Sequence, residues 1–219
     1  MAPPELVPPA LSPARTVAWR WALGLSCLAV LALLTVQVAL HGPMLELDQD
    51  VSAWFSAHRQ PAVTALMLAV SILHRTFPVL AVTALLAFWF VRRRDWHSAS
   101  ALLVVPAGML LNVGVKNLLQ RARPHWEDPL VQLASYSFPS AHAVAATVFY
   151  GTLCALVFAH TRSRRRRALA LAFAVAMVLL VCLSRVYLGA HFPSDVLGGV
   201  ALGTACVLAF LALLRWLRP

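Results

Sequence analysis

Long apolar runs, closed by arginines or by proline, set the rhythm of this chain. They cover roughly 17–40, 61–91, 97–119, 140–160, 167–188 and 193–216. A helix needs about 20 apolar residues to cross a bilayer, so each run predicts a membrane span. Residues 46–58 differ: Leu47, Val51, Trp54 and Phe55 recur at helical spacing opposite Asp48, Gln49 and Ser52. That pattern predicts a short amphipathic helix lying at the membrane interface. The 61–91 run is interrupted at His74-Arg75 and by Pro78. One kinked span fits it, and so does a short helix joined to a span over 76–91. Two full crossings need roughly 40 residues, which favours a single crossing. The expected fold is all-α: a polytopic membrane protein built as a six-helix transmembrane bundle, with the interfacial helix near 46–58.

The flanks add little. Residues 1–14 are proline-rich and are expected to form a disordered tail, leaving 15–219 as a single membrane domain. The first run is too long for a signal-peptide core and no A-x-A-like site follows it, so a retained span is expected.

Composition agrees. The 219 residues are 61% hydrophobic and 12% charged, with mean hydropathy +0.77, outside the range of soluble domains. The net charge of +10 raises nucleic acid as a partner, but its distribution argues against that. The arginines sit in short runs beside apolar spans: Arg15 and Arg20, Arg92–Arg94, Arg162 with Arg164–Arg167, and Arg215 and Arg218. With six spans, all of them fall on one side, which the positive-inside rule makes cytoplasmic together with both termini. The opposite side receives residues 41–60, the 120–138 loop and the 189–193 turn. An inner-membrane protein of bacterial type is expected. The four cysteines lie inside apolar runs without metal-ligand spacing and read as small buried hydrophobes.

Three polar stretches converge on that outer side. Ionisable groups at membrane depth are costly unless they pair or work. In Lys116–Pro124, Lys116 and Arg123 are seven residues apart and can share one helix face with Asn112. Pro124 favours ending the helix at Arg123. Arg121 is read as snorkelling to the interface. In Phe138–His142, Pro139 suits the first helical position, leaving the N–H groups of Ser140 and Ala141 as an anion site. His142 is placed to give a proton to whatever leaves. In Ser184–Asp195, Asp195 follows His191 by one turn, and a carboxylate on one imidazole nitrogen leaves the other basic and aimed. Arg185 supplies a planar fork suited to phosphate oxygens. Gly189 is the expected helix end that turns His191 inward. Neither a carboxylate cluster nor another ligand set for a metal is evident, so no metal or cofactor is expected. The site reads as one for a phosphate dianion.

These stretches, K-x6-RP, PSAH and SR-x5-H-x3-D, resemble the signature of the type-2 phosphatidic acid phosphatase family, which is related to the vanadium haloperoxidases. The resemblance covers the second half of the chain, with Ala141 where the family usually has glycine. It implies a metal-independent membrane lipid phosphatase. His191 would form a phosphohistidine, Asp195 would orient it, and His142 would protonate the leaving oxygen and then activate water. Lys116, Arg123 and Arg185 would hold the phosphoryl oxygens with Ser140 and the Ala141 N–H. The implied substrates are a polyprenyl diphosphate, phosphatidic acid or phosphatidylglycerophosphate, or a lipid A phosphate. A phosphotransferase shares these residues. A lipid or phosphate transporter would need the cations but no oriented histidine.

Overall fold

The computed structural model describes residues 13–125, 129–131 and 133–216. Most of the expected N-terminal tail, and residues 126–128 and 132 of the 120–138 loop, lie outside the described residues. Among the described residues the fold is all-helical. The helices are α1 (Pro13–Ala39), α2 (Met44–Ala57), α3 (Pro61–Leu73), α4 (Thr76–Arg92), α5 (Trp96–Ala101), α6 (Val104–Leu119), α7 (Ala141–His160), α8 (Arg164–Tyr187) and α9 (Pro193–Trp216). Stretches in α1, α5–α6, α7, α8 and α9 are each long and apolar enough to cross a membrane. The α3–α4 pair, bent by 50°, completes six when counted as one broken span.

The breaks have local causes. Pro78 has no N–H for the carbonyl of His74, and the helix bends there. His74 Nδ1 donates to the Val70 carbonyl at 2.8 Å, and its Nε2 meets the Tyr150 hydroxyl at 2.8 Å. The buried imidazole thus ties the bend to α7. Pro106 plays the same part for Leu102, separating α5 from α6.

Helix α7 is the axis of the bundle. Its face from Ala143 to Phe149, with Thr152 and Leu156, is buried against α6, α8 and α9. Small residues permit that closeness, as expected where lipid removes any hydrophobic drive between helices. A Cβ on Gly199 would lie 2.7 Å from the Ala143 Cβ and 2.8 Å from the Ser140 carbonyl oxygen. Large apolar side chains such as Phe77, Leu85, Leu110 and Leu118 face outward, where acyl chains would cover them.

The turn after α4 and the start of α8 share one end of the bundle. Asp95 Oδ2 pairs with His160 Nε2 at 3.1 Å, joining the Arg92–Arg94 turn to the last residue of α7. Leu214 of α9 packs with Ala101 and Leu102 near that end. The three polar stretches lie at the other end.

The amphipathic helix is present but turned. Asp48 and Ser52 are buried, while Leu47 and Trp54 are 61% and 57% exposed. Asp48 and Ser52 face protein, where a buried arginine lies, while Gln49 of the same edge stays exposed.

Candidate active site

The C-terminal end of α8 delivers the central histidine. Gly189, with φ 67°, takes the left-handed conformation that closes the helix. The Ala190 and His191 N–H groups fold back onto the Arg185 carbonyl at 3.0 and 3.3 Å. His191 is thereby buried, 1% exposed, and points into the bundle. Helix α9 begins two residues later at Pro193, so Asp195 falls in its first turn, where the helix dipole favours a carboxylate.

Partners fix the tautomer of His191. Its Nδ1 lies 3.3 Å from Asp195 Oδ2 and its Nε2 lies 3.1 Å from Arg123 Nη1. A guanidinium cannot accept and a carboxylate cannot donate, so Nδ1 carries the proton and Nε2 holds a lone pair. Burial pushes the imidazole down to about 3, the Asp195 carboxylate pulling the other way. The ring is therefore neutral at physiological pH.

Asp195 is fully enclosed. Oδ2 also accepts from Ser137 Oγ and from the Phe192 N–H at 2.9 Å. Oδ1 accepts from Arg121 Nη1 at 2.6 Å. Arg121 is not a snorkelling residue. Its buried guanidinium also donates to Asp48 Oδ2 at 2.7 Å, bridging α2 and α9. The attraction of two carboxylates outweighs the gain from reaching water.

The cations converge by different routes. Helix α6 ends at Leu119, with Gln120 left-handed at φ 48°, so Arg123 is not on its helical face as the spacing suggested. An extended segment carries it instead, held by the Ser135 carbonyl at 2.6 Å and the Ala190 carbonyl at 2.6 Å. Lys116 remains on α6, buried, and donates to the carbonyls of Tyr136 and Ser137. It braces the loop whose Ser137 touches Asp195. Arg185 is 1% exposed and gives Nη1 to Ser71 Oγ, while its Nε and Nη2 have no partner among the described residues. Buried, unpaired guanidinium N–H groups are costly and call for an anion.

The start of α7 differs from the expected anion nest. Pro139 follows a cis peptide and precedes the helix, whose N-cap is Ser140. The Ser140 N–H is not available, because it donates to the Asp195 carbonyl at 2.9 Å. The Ser140 hydroxyl is buried without a partner among the described residues. Ala141 begins the helix, so its N–H belongs to the unpaired first turn. His142 Nε2 meets the Ser71 carbonyl at 3.2 Å. Lys116, Arg123, Arg185, His142 and His191 all lie within one electrostatic neighbourhood.

Sequence reasoning missed Asp48, Ser71, Arg121 and Ser137. Ser71 is the junction of the far wall: its hydroxyl holds Arg185 and its carbonyl holds His142. Asp48 carried a signal, as an acid beside Ser52 on one edge of an amphipathic helix. Ser71 and Ser137 carried none. A cavity of about 800 Å³ lies beside the site, between the end of α1, α2 and residues 119–125, with Arg121, Arg123 and Phe192 on its wall. Among the described residues no three His, Cys, Asp or Glu side chains converge as a metal site.

Known proteins match this chain in sequence and fold. Residues 97–219 match the PAP2 superfamily. Phosphatidylglycerophosphatase B of Bacillus subtilis is 32% identical over 158 residues, covering 71% of this chain and 77% of that protein. Lipid A 1-phosphatase of Rhizobium etli is 36% identical over 131 residues, covering 53% and 52%. Among solved structures, the transmembrane PAP2-type phosphatidylglycerolphosphate phosphatase of Bacillus subtilis superposes with a TM-score of 0.77 at 28% identity, over 91% of this chain and 97% of that one. Sequence and bundle agree, and the chain belongs to the PAP2 superfamily as a multi-pass membrane phosphatase of that type.

Proposed function

We propose that this protein hydrolyses a lipid phosphate through a phosphohistidine formed on His191. The observation that carries this reading is the imidazole held between Asp195 and Arg123, with its lone pair on Nε2. Nε2 attacks phosphorus as the bond from phosphorus to the lipid oxygen breaks. His142 gives its proton to that oxygen, and the lipid alcohol leaves. Asp195 stabilises the imidazolium as the N–P bond forms. His142 then takes a proton from water, the hydroxyl attacks phosphorus, and His191 is released with inorganic phosphate.

Positive charge for the equatorial oxygens comes from Lys116, Arg123 and the unpartnered N–H groups of Arg185. The Ser140 hydroxyl and the Ala141 N–H complete the cradle. Loose phosphoryl transfer needs positioning and charge neutralisation above all, and these groups supply both. Ala141 sits in the first helical turn, where alanine keeps the N–H that the family's glycine would offer.

The relatives named above are phosphatases of phosphatidylglycerophosphate and of lipid A, and a decaprenylphosphoryl-5-phosphoribose phosphatase of Mycobacterium tuberculosis is 38% identical over 118 residues. These names support a long-chain lipid bearing a terminal phosphate or diphosphate. The arginine-rich turns share the opposite end of the bundle, which supports a site on the outer, periplasmic side of an inner membrane.

Brief reaction with ³²P-labelled lipid phosphate, followed by alkaline quench, tests the chemistry. The expected product is an acid-labile, alkali-stable label on wild-type protein, absent from His191→Ala. Labelling of His191→Ala equal to wild type would overturn the assignment.

A further inference from the structure

Asp48 lies outside all three motif stretches, yet it bonds residues of two of them, Arg121 and Ser194. It is 2% exposed on α2. Its Oδ1 accepts from the Ser194 N–H at 2.9 Å. Its Oδ2 accepts from Arg121 Nη2 at 2.7 Å and from the Ser194 hydroxyl. Arg121 Nη1 in turn donates to the Ser194 Oγ at 2.7 Å and to Asp195 Oδ1 at 2.6 Å. The guanidinium lies 4.5 Å over the Phe192 ring, which closes it from one side.

The order of charges matters. Arg121 alone beside Asp195 would form a one-to-one buried pair and draw the carboxylate's charge away from His191. A second carboxylate, Asp48, shares the guanidinium. Asp195 then keeps negative charge on Oδ2 for the imidazolium that develops on His191, while Oδ1 stays locked to Arg121. Asp48 also holds the first turn of α9 directly, through both the N–H and the hydroxyl of Ser194.

We infer that Asp48 is a positioning residue for the His191–Asp195 pair, acting through Arg121 and Ser194. The interfacial helix α2 is therefore part of the catalytic apparatus, although it touches no reacting atom. This inference rests on His191 being the nucleophile.

The test is a double-mutant cycle on purified full-length protein in detergent, with a long-chain lipid phosphate and a short soluble phosphate ester. Loss of a charge-assisted partner predicts that Asp48→Asn lowers kcat by about tenfold or more on both substrates, with KM nearly unchanged. In an Asp195→Asn background the same change should cost less than about twofold, because the residue it serves is gone. Equal losses in both backgrounds would reduce Asp48 to a packing residue and overturn the inference. Should Asp48→Asn fail to fold, Asp48→Asn/Arg121→Gln keeps an uncharged chain of similar size. It is expected to fold and to remain low in kcat, and wild-type kcat in it would overturn the inference. Full turnover by Asp195→Asn alone would instead sink the nucleophile reading, and the inference with it.

Discussion

The Ser140 N–H donates to the Asp195 carbonyl at 2.9 Å, so α7 and α9 start from a shared point. The buried Ser140 hydroxyl and the carboxylate that faces His191 cannot shift independently. Gly199 maintains this closeness, since a Cβ there would meet the Ser140 carbonyl oxygen at 2.8 Å. Gly199→Ala should destabilise by about 1–3 kcal/mol, the usual cost of overpacking, and lower kcat. Gly114→Ala is the control, because a Cβ there meets nothing within 4 Å. Thermal unfolding in detergent and phosphate release measure the two effects.

Ser71 gives a second prediction. Ser71→Ala removes the acceptor for Arg185 Nη1 but leaves the carbonyl that holds His142. A hydrogen bond to a charged group is worth about 1.5–3 kcal/mol, so kcat/KM should fall by about tenfold or more. The loss should appear mainly in KM if Arg185 binds ground-state phosphate. Steady-state kinetics on one lipid phosphate separates the two parameters.

What the sequence made legible depends on range. Spans, arginine-rich turns and the left-handed Gly189 are local features, and each stood where hydropathy or spacing placed it. Two local readings inside the motifs went wrong where a turn overrode the spacing. Gln120 ends α6 before Arg123, and Ala141 rather than Pro139 is the first residue of α7, with Ser140 as its N-cap. Arg121 and Asp48 were misread because their meaning is mutual. Each alone is an interfacial charge, and only a contact across 73 positions makes them a buried pair. The polar edge of α2 was visible, but nothing local said that it faced protein.

Metal dependence provides a third test. In the proposed mechanism, Lys116, Arg123 and Arg185 meet the charge that a divalent ion would otherwise neutralise. Phosphate release should survive an excess of chelator, and loss restored by magnesium would contradict the proposed mechanism.

Lipid access concerns α2. Trp54 is 57% exposed, with its ring stacked on His58 at 4.6 Å, a position suited to the bilayer interface. Trp54→Ala should reduce turnover of a long-chain lipid more than that of a short soluble ester. Equal reductions would place Trp54 in folding rather than in lipid access.

Sidedness can be read in intact cells with a membrane-impermeant thiol reagent. Asp50 and Ser163 are both exposed, near opposite ends of the bundle. Asp50→Cys should label and Ser163→Cys should not. The reverse pattern would place the site in the cytoplasm.

The contact between Arg123 Nη1 and His191 Nε2 also means that the nitrogen to which the proposed mechanism gives the attack is covered in this structure. An arriving molecule must draw the guanidinium aside before it can be attacked, and only a strongly anionic group competes for it. Under the proposed mechanism, selection for a charged phosphate would thus precede chemistry. A neutral phosphotriester would meet a closed latch, and histidine-acylating reagents would find His191 shielded until an anion opens it.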